Sequence, residues 1–332
     1  MVMPDGGNKD TTPPKFVSSI EMFSDNTKQL KSLNLSFDER IQEHQFLSNF
    51  YISPPSENIS HKIKNNVLEI YFENNLQENV EYTLSLNNCI KDLTEGNVIK
   101  DFTYNIKSYD TLKLNIETHT FSGVLKNSFS HKAEDNHWIM MFRSDVPDSI
   151  VFKTTPSYVC KSNKEGVFIF NNIIDGNYKI VSISGEDYIY HEDEVISFSN
   201  EIIIAGTDSL IELFTFNPAY KIDSTEIVKD TIITEGGSLT LNSDFNGNVV
   251  VQLIKGNKAI LQESYEKSQD VILKNITTGE YFLRVFRDEN KNGYWDTGNF
   301  TEKKQAERMY YYPEKITIRE NWDLELNWVI KE

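Results

Sequence analysis

The chain has 332 residues, long enough for two or three domains with separate cores. Its 33 Lys and Arg against 50 Asp and Glu give a formal net charge of −17, which excludes nucleic acid as a partner, because a phosphate backbone needs a basic face, and suits solubility and attraction of divalent cations. With 39% hydrophobic and 25% charged residues it is neither a membrane-embedded nor a disordered composition, and no apolar run approaches the roughly 20 residues that span a bilayer.

The first residues, Met1-Val2-Met3-Pro4-Asp5-Gly6-Gly7, lack the basic and apolar stretches of an export signal. The rest of the sequence favours an export segment that has been removed. Residues 1–11 form an N-terminal tail, and Thr11-Thr12-Pro13-Pro14 sets an extended entry to the first segment, 12–109. There Leu33, Leu35 and Phe37 alternate with polar residues, as do Leu68, Ile70 and Phe72, then Tyr82, Leu84 and Leu86, then Phe102, Tyr104 and Ile106. A second segment, 110–217, carries Phe168 and Phe170, then Tyr178 and Ile180; a third, 218–332, carries Val249 and Val251. The clearest alternation is the last: Trp322, Leu324, Leu326, Trp328 and Ile330 on one face, with Asp323, Glu325 and Asn327 opposite. Period two with turn residues between the runs predicts half-buried strands throughout, hence an all-β chain of tandem β-sandwich domains.

The second and third segments repeat one another. Residues 169–180 (IFNNIIDGNYKI) and 272–283 (ILKNITTGEYFL) align at an offset of 103. Both read as strand, tight turn with Gly, and strand with an inward Tyr that buries its ring and bonds its hydroxyl.

Chemistry concentrates in one motif, Asp288-Glu289-Asn290-Lys291-Asn292-Gly293-Tyr294-Trp295-Asp296-Thr297-Gly298. Side-chain oxygens recur every second residue and Gly293 permits a sharp turn, as in the opening of an EF-hand loop, where Ca²⁺ gathers 6–8 oxygens. No bidentate Glu stands twelve residues in, and no helix flanks the loop. The candidate metal ligands are Asp288, Asn290, Asn292, Tyr294 and Asp296, with Ca²⁺ as a structural ion. Shifting by 103 residues replaces Asp288 with Gly185 and Asn292 with Ile189, so a calcium response is expected in the third segment only. Trp295 either caps this loop against the core or joins Tyr294, Tyr310 and Tyr312 as an exposed platform for a glycan. Arg308 beside Met309-Tyr310-Tyr311-Tyr312 is the candidate contact for a protein partner.

The remaining residue types offer little catalysis. Cys89 and Cys160 fall in different segments and read as buried free thiols. His44, His61, His119, His131, His137 and His191 form no HExxH pattern or metal spacing; His131 and His137 would share a face of one strand, but Asn127 to Asn136 reads as a loop. Nucleophile elbow, P-loop and dinucleotide fingerprint are all missing, so the expectation is a protein that is not an enzyme.

The stretch Gly6-Gly7-Asn8-Lys9-Asp10-Thr11-Thr12-Pro13-Pro14-Lys15 resembles the mature start of Bacteroidota outer-membrane lipoproteins with Ig-like domains. Leu35-Ser36-Phe37-Asp38-Glu39, Tyr51-Ile52-Ser53-Pro54-Pro55, Asn79-Val80-Glu81-Tyr82-Thr83-Leu84 and Ile90 to Asn97 are similar to the bacterial Ig-like domain at their front. The second and third segments resemble prealbumin-like sandwiches, and the Asp288 to Gly298 loop is similar to the calcium loops of staphylococcal surface B-repeats. The resemblance implies an Ig-like domain followed by two prealbumin-like sandwiches, in a cell-envelope lipoprotein of the outer membrane. Its expected role is a non-catalytic binding or spacer module, with outer-membrane protein partners or, alternatively, a glycan. Contact with the membrane would run only through a lipid anchor absent from this sequence.

Overall fold

The computed structural model describes residues 9–24, 29–78, 80–107, 117–207, 210–220, 236–243, 247–256, 258–266 and 271–329. The Gly6-Gly7 stretch, the expected boundary at 109–110 and Ile330 lie outside them. The chain is all-β, built as tandem sandwiches. Among the described residues no helix is long and apolar enough to cross a membrane.

The first segment supplies β1 (Phe16–Phe23), β2 (Leu30–Phe37), β3 (Ile41–Glu43), a single helical turn α1 (Phe46–Asn49), β4 (Tyr51–Ser53), β5 (Ile59–Lys64), β6 (Val67–Phe72), β7 (Glu81–Ser85), β8 (Ile90–Asp92) and β9 (Thr103–Lys107). One sheet runs β1-β2-β6-β5 and another β4-β7-β9, with β3 paired to β8. The alternation does what it predicts: Leu33, Leu35 and Phe37 of β2 and Leu68, Ile70 and Phe72 of β6 bury into one core with Tyr82 and Leu84 of β7. Cys89 is buried in the same core as a free thiol, and burial pushes it up to about 12; Cys160 is likewise buried and free, in the second segment.

The second segment supplies β10 (Thr118–Asn127), β11 (Trp138–Arg143), β12 (Tyr158–Lys161), β13 (Val167–Ile174), β14 (Asn177–Ile183), β15 (Ile196–Phe198), β16 (Ile203–Ile204) and β17 (Ile211–Thr215). The third supplies β18 (Gly237–Ser243), β19 (Asn248–Lys255), β20 (Lys258–Glu266), β21 (Val271–Ile276), β22 (Gly279–Arg287), β23 (Met309–Tyr311), β24 (Ile316–Ile318) and β25 (Asp323–Trp328).

The two share one topology. Sheet β13-β10-β17 has its counterpart in β21-β18-β25, each ending in a parallel pair. Sheet β12-β11-β14-β15, with β16 also on β14, matches β20-β19-β22-β23 with β24 on β22. The repeated hairpin is reproduced at its key positions. Asn172 and Asn275 adopt left-handed φ of 59° and 57°. The hydroxyls of Tyr178 and Tyr281, both fully buried, donate to the Ile174 and Thr277 carbonyls at 2.8 Å. A cation sits over each ring, Arg143 on Tyr178 and Lys255 on Tyr281.

Several strands depart from half-burial, with the longest runs in β11 and β19. Trp138 to Phe142 of β11 and Val249 to Ile254 of β19 are buried residue after residue. One face of β11 (Ile139, Met141) points into its own sandwich, while the other (Trp138, Met140, Phe142) joins a second core that also takes Val250, Phe286, Trp295, Ala306 and Met309 from the third segment. A sheet covered on both faces reads as a continuous apolar run. The two sandwiches therefore share a core.

Polar bonds fix both seams. Between the first and second segments, Val159 N–H donates to Ser53 Oγ at 3.1 Å, Lys161 Nζ to the Ser48 carbonyl at 2.8 Å, and Asn172 Nδ2 to Thr83 Oγ1 at 3.0 Å. Tyr51 meets Trp138 edge-on with centroids 5.5 Å apart. Between the second and third, Tyr311 OH donates to the Phe129 carbonyl at 2.7 Å, Thr297 Oγ1 to Asn217 O at 2.7 Å, and Gln305 Nε2 to Phe198 O at 2.8 Å.

Candidate metal centre

The EF-like loop leaves the end of β22 and returns the chain to β23. In the second segment the same connection is shorter. Ile183 pairs with Ile196 there, 13 residues on, whereas Phe286 pairs with Met309, 23 residues on. The extra ten residues make room for the loop.

Asp288 is buried, and its two carboxylate oxygens accept from Asn292 N–H at 3.1 Å and Gly293 N–H at 2.8 Å. Asn290 Oδ1 accepts from Asn292 N–H and Asn292 Oδ1 from Tyr294 N–H, so each Asn folds the chain back one step. Gly293 takes φ of 78°, the left-handed turn the motif requires. The Tyr294 side chain is exposed; its place in the loop is the one from which an EF-hand offers a main-chain carbonyl. Asp296 Oδ2 accepts from the Asn292 amide at 2.9 Å and from that of Asn290. The five residues expected as ligands are thus brought together.

A third carboxylate stands beside the loop. Glu307, eleven residues beyond Asp296 and only 4% exposed, accepts Glu289 N–H on one oxygen and Asp296 N–H on the other, both at 3.0 Å. Were a cation held in the loop, Glu307 would be the residue placed to stand in for the bidentate Glu that the local sequence lacks. Burial, opposed by those two N–H groups and reinforced by the Asp296 and Asp288 charges, pushes its carboxyl up to about 7. The signal for Glu307 lies in strand register. Aligning Ile196 with Met309 places Glu194 opposite Glu307, and Glu194 swings into the space that a side chain at Gly185 would fill. The second segment keeps the Glu but has Gly185 where the third has Asp288.

The donor set, Asp288, Asn290, Asn292, Asp296 and Glu307 with the Tyr294 carbonyl, is all oxygen with three carboxylates, the chemistry that suits Ca²⁺. Lys304 Nζ stands 3.9 Å from Asp296. Closing on a cation requires the Asn290 and Asn292 amides to turn their oxygens toward Asp296. Among the described residues, the trio of acidic side chains whose ligand oxygens all lie within 4.8 Å of one another is elsewhere, at Glu39, Asp92 and Glu95. There Asp92 is already engaged by the N–H groups of Glu95, Gly96 and Asn97 at 2.6, 2.7 and 2.9 Å, which makes it the cap of a turn.

The loop is also a docking element. Trp295 is 9% exposed, its Nε1 donates to the Glu307 carbonyl, and its ring meets Phe129 of the second segment edge-on at 5.1 Å. It caps the loop against the shared core and is not part of an exposed platform. Arg308 lies 4.4 Å over Phe214, Tyr310 approaches His131 at 5.8 Å, and Tyr312 packs on Trp328 at 5.5 Å. Of the run expected to meet an outside partner, Arg308 stays exposed over Phe214, while Tyr310 and Tyr312 are half-buried against rings of the second segment and of their own sandwich.

No curated protein matches the chain. Among solved structures it is similar to the Bacillus anthracis TIE protein, at 11% identity and a TM-score of 0.21, over 98% of this chain and 58% of that one. It is also similar to a Streptococcal ancillary pilin, at 8% identity and a TM-score of 0.18, over 82% of this chain and 80% of the other. The chain thus spans less than two thirds of the length of the TIE protein. Residues 10–111, with the β1 to β9 sandwich between them, match the family model of the bacterial Ig-like domain.

Proposed function

We propose that this chain is a non-catalytic module of the bacterial cell envelope, a stiff spacer and binding platform whose last seam is clipped by Ca²⁺. The observation that carries the reading is the shared core between the second and third segments, which turns two sandwiches into one body. Domains that act as independent hinged binders expose small polar interfaces, whereas a large apolar seam holds a fixed angle. The calcium loop supports the same reading by supplying Trp295 to that seam. In the parent protein, a lipid anchor would tether this body to the outer membrane, where it serves as an accessory of a membrane protein complex. Trp295 is withdrawn from any glycan platform and Tyr310 and Tyr312 are half-buried against other rings, which counts against a sugar.

The test is affinity purification of the tagged, lipidated parent protein from native outer membranes, with mass spectrometry of what accompanies it. A stoichiometric outer-membrane protein is expected. Recovery of the protein alone after cross-linking, or saturable binding to a glycan array, would overturn the assignment.

A further inference from the structure

A cavity lies away from the metal loop, on the same seam. It has a volume of about 310 Å³ and opens where β14 changes partner from β15 to β16. Its walls are Val181, Phe198 and Ile202 of the second segment and Phe300 of the third. At its mouth Asp148 Oδ1 pairs with Lys179 Nζ at 2.9 Å and Asp148 Oδ2 with Lys303 Nζ at 3.1 Å. Two ammonium groups therefore share one carboxylate, leaving a net charge of +1 over an apolar hollow in a chain of −17.

The donors are not exhausted. Lys179 also donates to the Val146 carbonyl at 2.7 Å, which leaves one of its three protons, and Lys303 has two left beyond Asp148. Phe198 is buried and the Lys303 ammonium already covers Phe300 at 3.9 Å, so neither ring offers a free face on which a sugar could stack. A volume at the small end for ligand pockets, apolar walls and a cationic rim fit one chemistry. We propose that this cavity binds a small amphipathic anion, a carboxylate with a short apolar body, with the acid on Lys303 and Lys179 and the body between Phe198, Phe300 and Ile202. Because Lys303 and Phe300 come from one segment and the other residues from its neighbour, the ligand bridges the seam.

The test is titration of the full chain with octanoate, followed by calorimetry and by chemical-shift changes, with octanol and octylammonium as probes of the same length. Saturable octanoate binding that shifts resonances around Ile202 and Lys303 is expected, with octanol weaker by about tenfold, the scale of one charge-assisted hydrogen bond. Lys303→Met should weaken octanoate by a similar factor and leave octanol unchanged. Ile202→Trp, at an exposed rim position, should block both without altering the melt. Equal binding of octanoate, octanol and octylammonium, undiminished binding to Ile202→Trp, or no saturable binding at millimolar octanoate would each overturn the proposal.

Discussion

Trp295 meets Phe129 edge to face, ring centroids 5.1 Å apart, across the seam between the second and third segments. The indole is held from behind by the Glu307 carbonyl, while the Glu307 carboxylate closes the candidate metal loop. Metal loop and seam are thus one construction. Calcium at 100 times its dissociation constant should add about 2.7 kcal/mol. Calorimetry in calcium and in EDTA should show a single shifted transition covering both segments. Identical melts would remove the metal from the account.

Glu307→Gln separates the metal from the fold. The amide keeps the shape and one acceptor, but it withdraws a carboxylate from a site that already holds Asp288 and Asp296. Most of the calcium-dependent rise in Tm should be lost, while the melt in EDTA falls by less, because the relief of removing a crowded buried charge offsets part of the cost of the one backbone N–H that then faces the amide nitrogen. A variant that keeps the full calcium response would show that Glu307 is not a ligand.

Trp295→Ala should cost about 3–5 kcal/mol, the range for deleting a buried Trp side chain, with the loss felt on both sides of the seam. Hydrogen exchange should quicken around Phe129 as well as in the loop. Faster exchange confined to 288–308 would mean that the seam stands without it.

Much of this architecture is legible in the alternation of single strands. Leu33-Leu35-Phe37 and Leu68-Ile70-Phe72 name their buried faces directly, and the 103-residue offset locates both buried tyrosines. The seam is not legible that way. The unbroken burial of Met140-Met141-Phe142 tells that β11 is covered twice, yet not by what. Glu307 is hidden for a different reason: its partners Glu289 and Asp296 precede it by 18 and 11 residues, so no local spacing links them. Only the pairing of β22 with β23 does. Tyr310 reads as an anchor for an outside partner, and its packing on His131 is hidden because a sequence does not tell an interface within a chain from one between chains.

His137 provides a pH test. It is buried beside Trp138, and burial holds its imidazole below the ordinary range despite Glu134 Oε2 at 3.5 Å. The unfolded chain therefore takes up this proton more readily, and stability is lost as pH falls from the unfolded value of about 6.5 toward the lower folded one. Urea melts at pH 7.5 and 5.5 should show a larger acid loss for the native protein than for His137→Gln. An equal loss would assign the acid sensitivity to other groups.

The seam between the first and second segments rests on Ser53, whose hydroxyl accepts the Val159 N–H at 3.1 Å in a buried setting. Val159 lies on β12, paired to β11 on one side, so this N–H has no strand to turn to if the hydroxyl goes. Ser53→Ala leaves it unsatisfied and should cost about 1–3 kcal/mol. Ser53→Thr retains the oxygen and should recover much of the loss where its extra methyl fits. The discriminating measurement is exchange of the Val159 amide. Rapid exchange in Ser53→Ala with slow exchange retained elsewhere in β12 locates the cost at the seam, and unchanged protection at Val159 would show that the two segments are held by Lys161 and Asn172 instead.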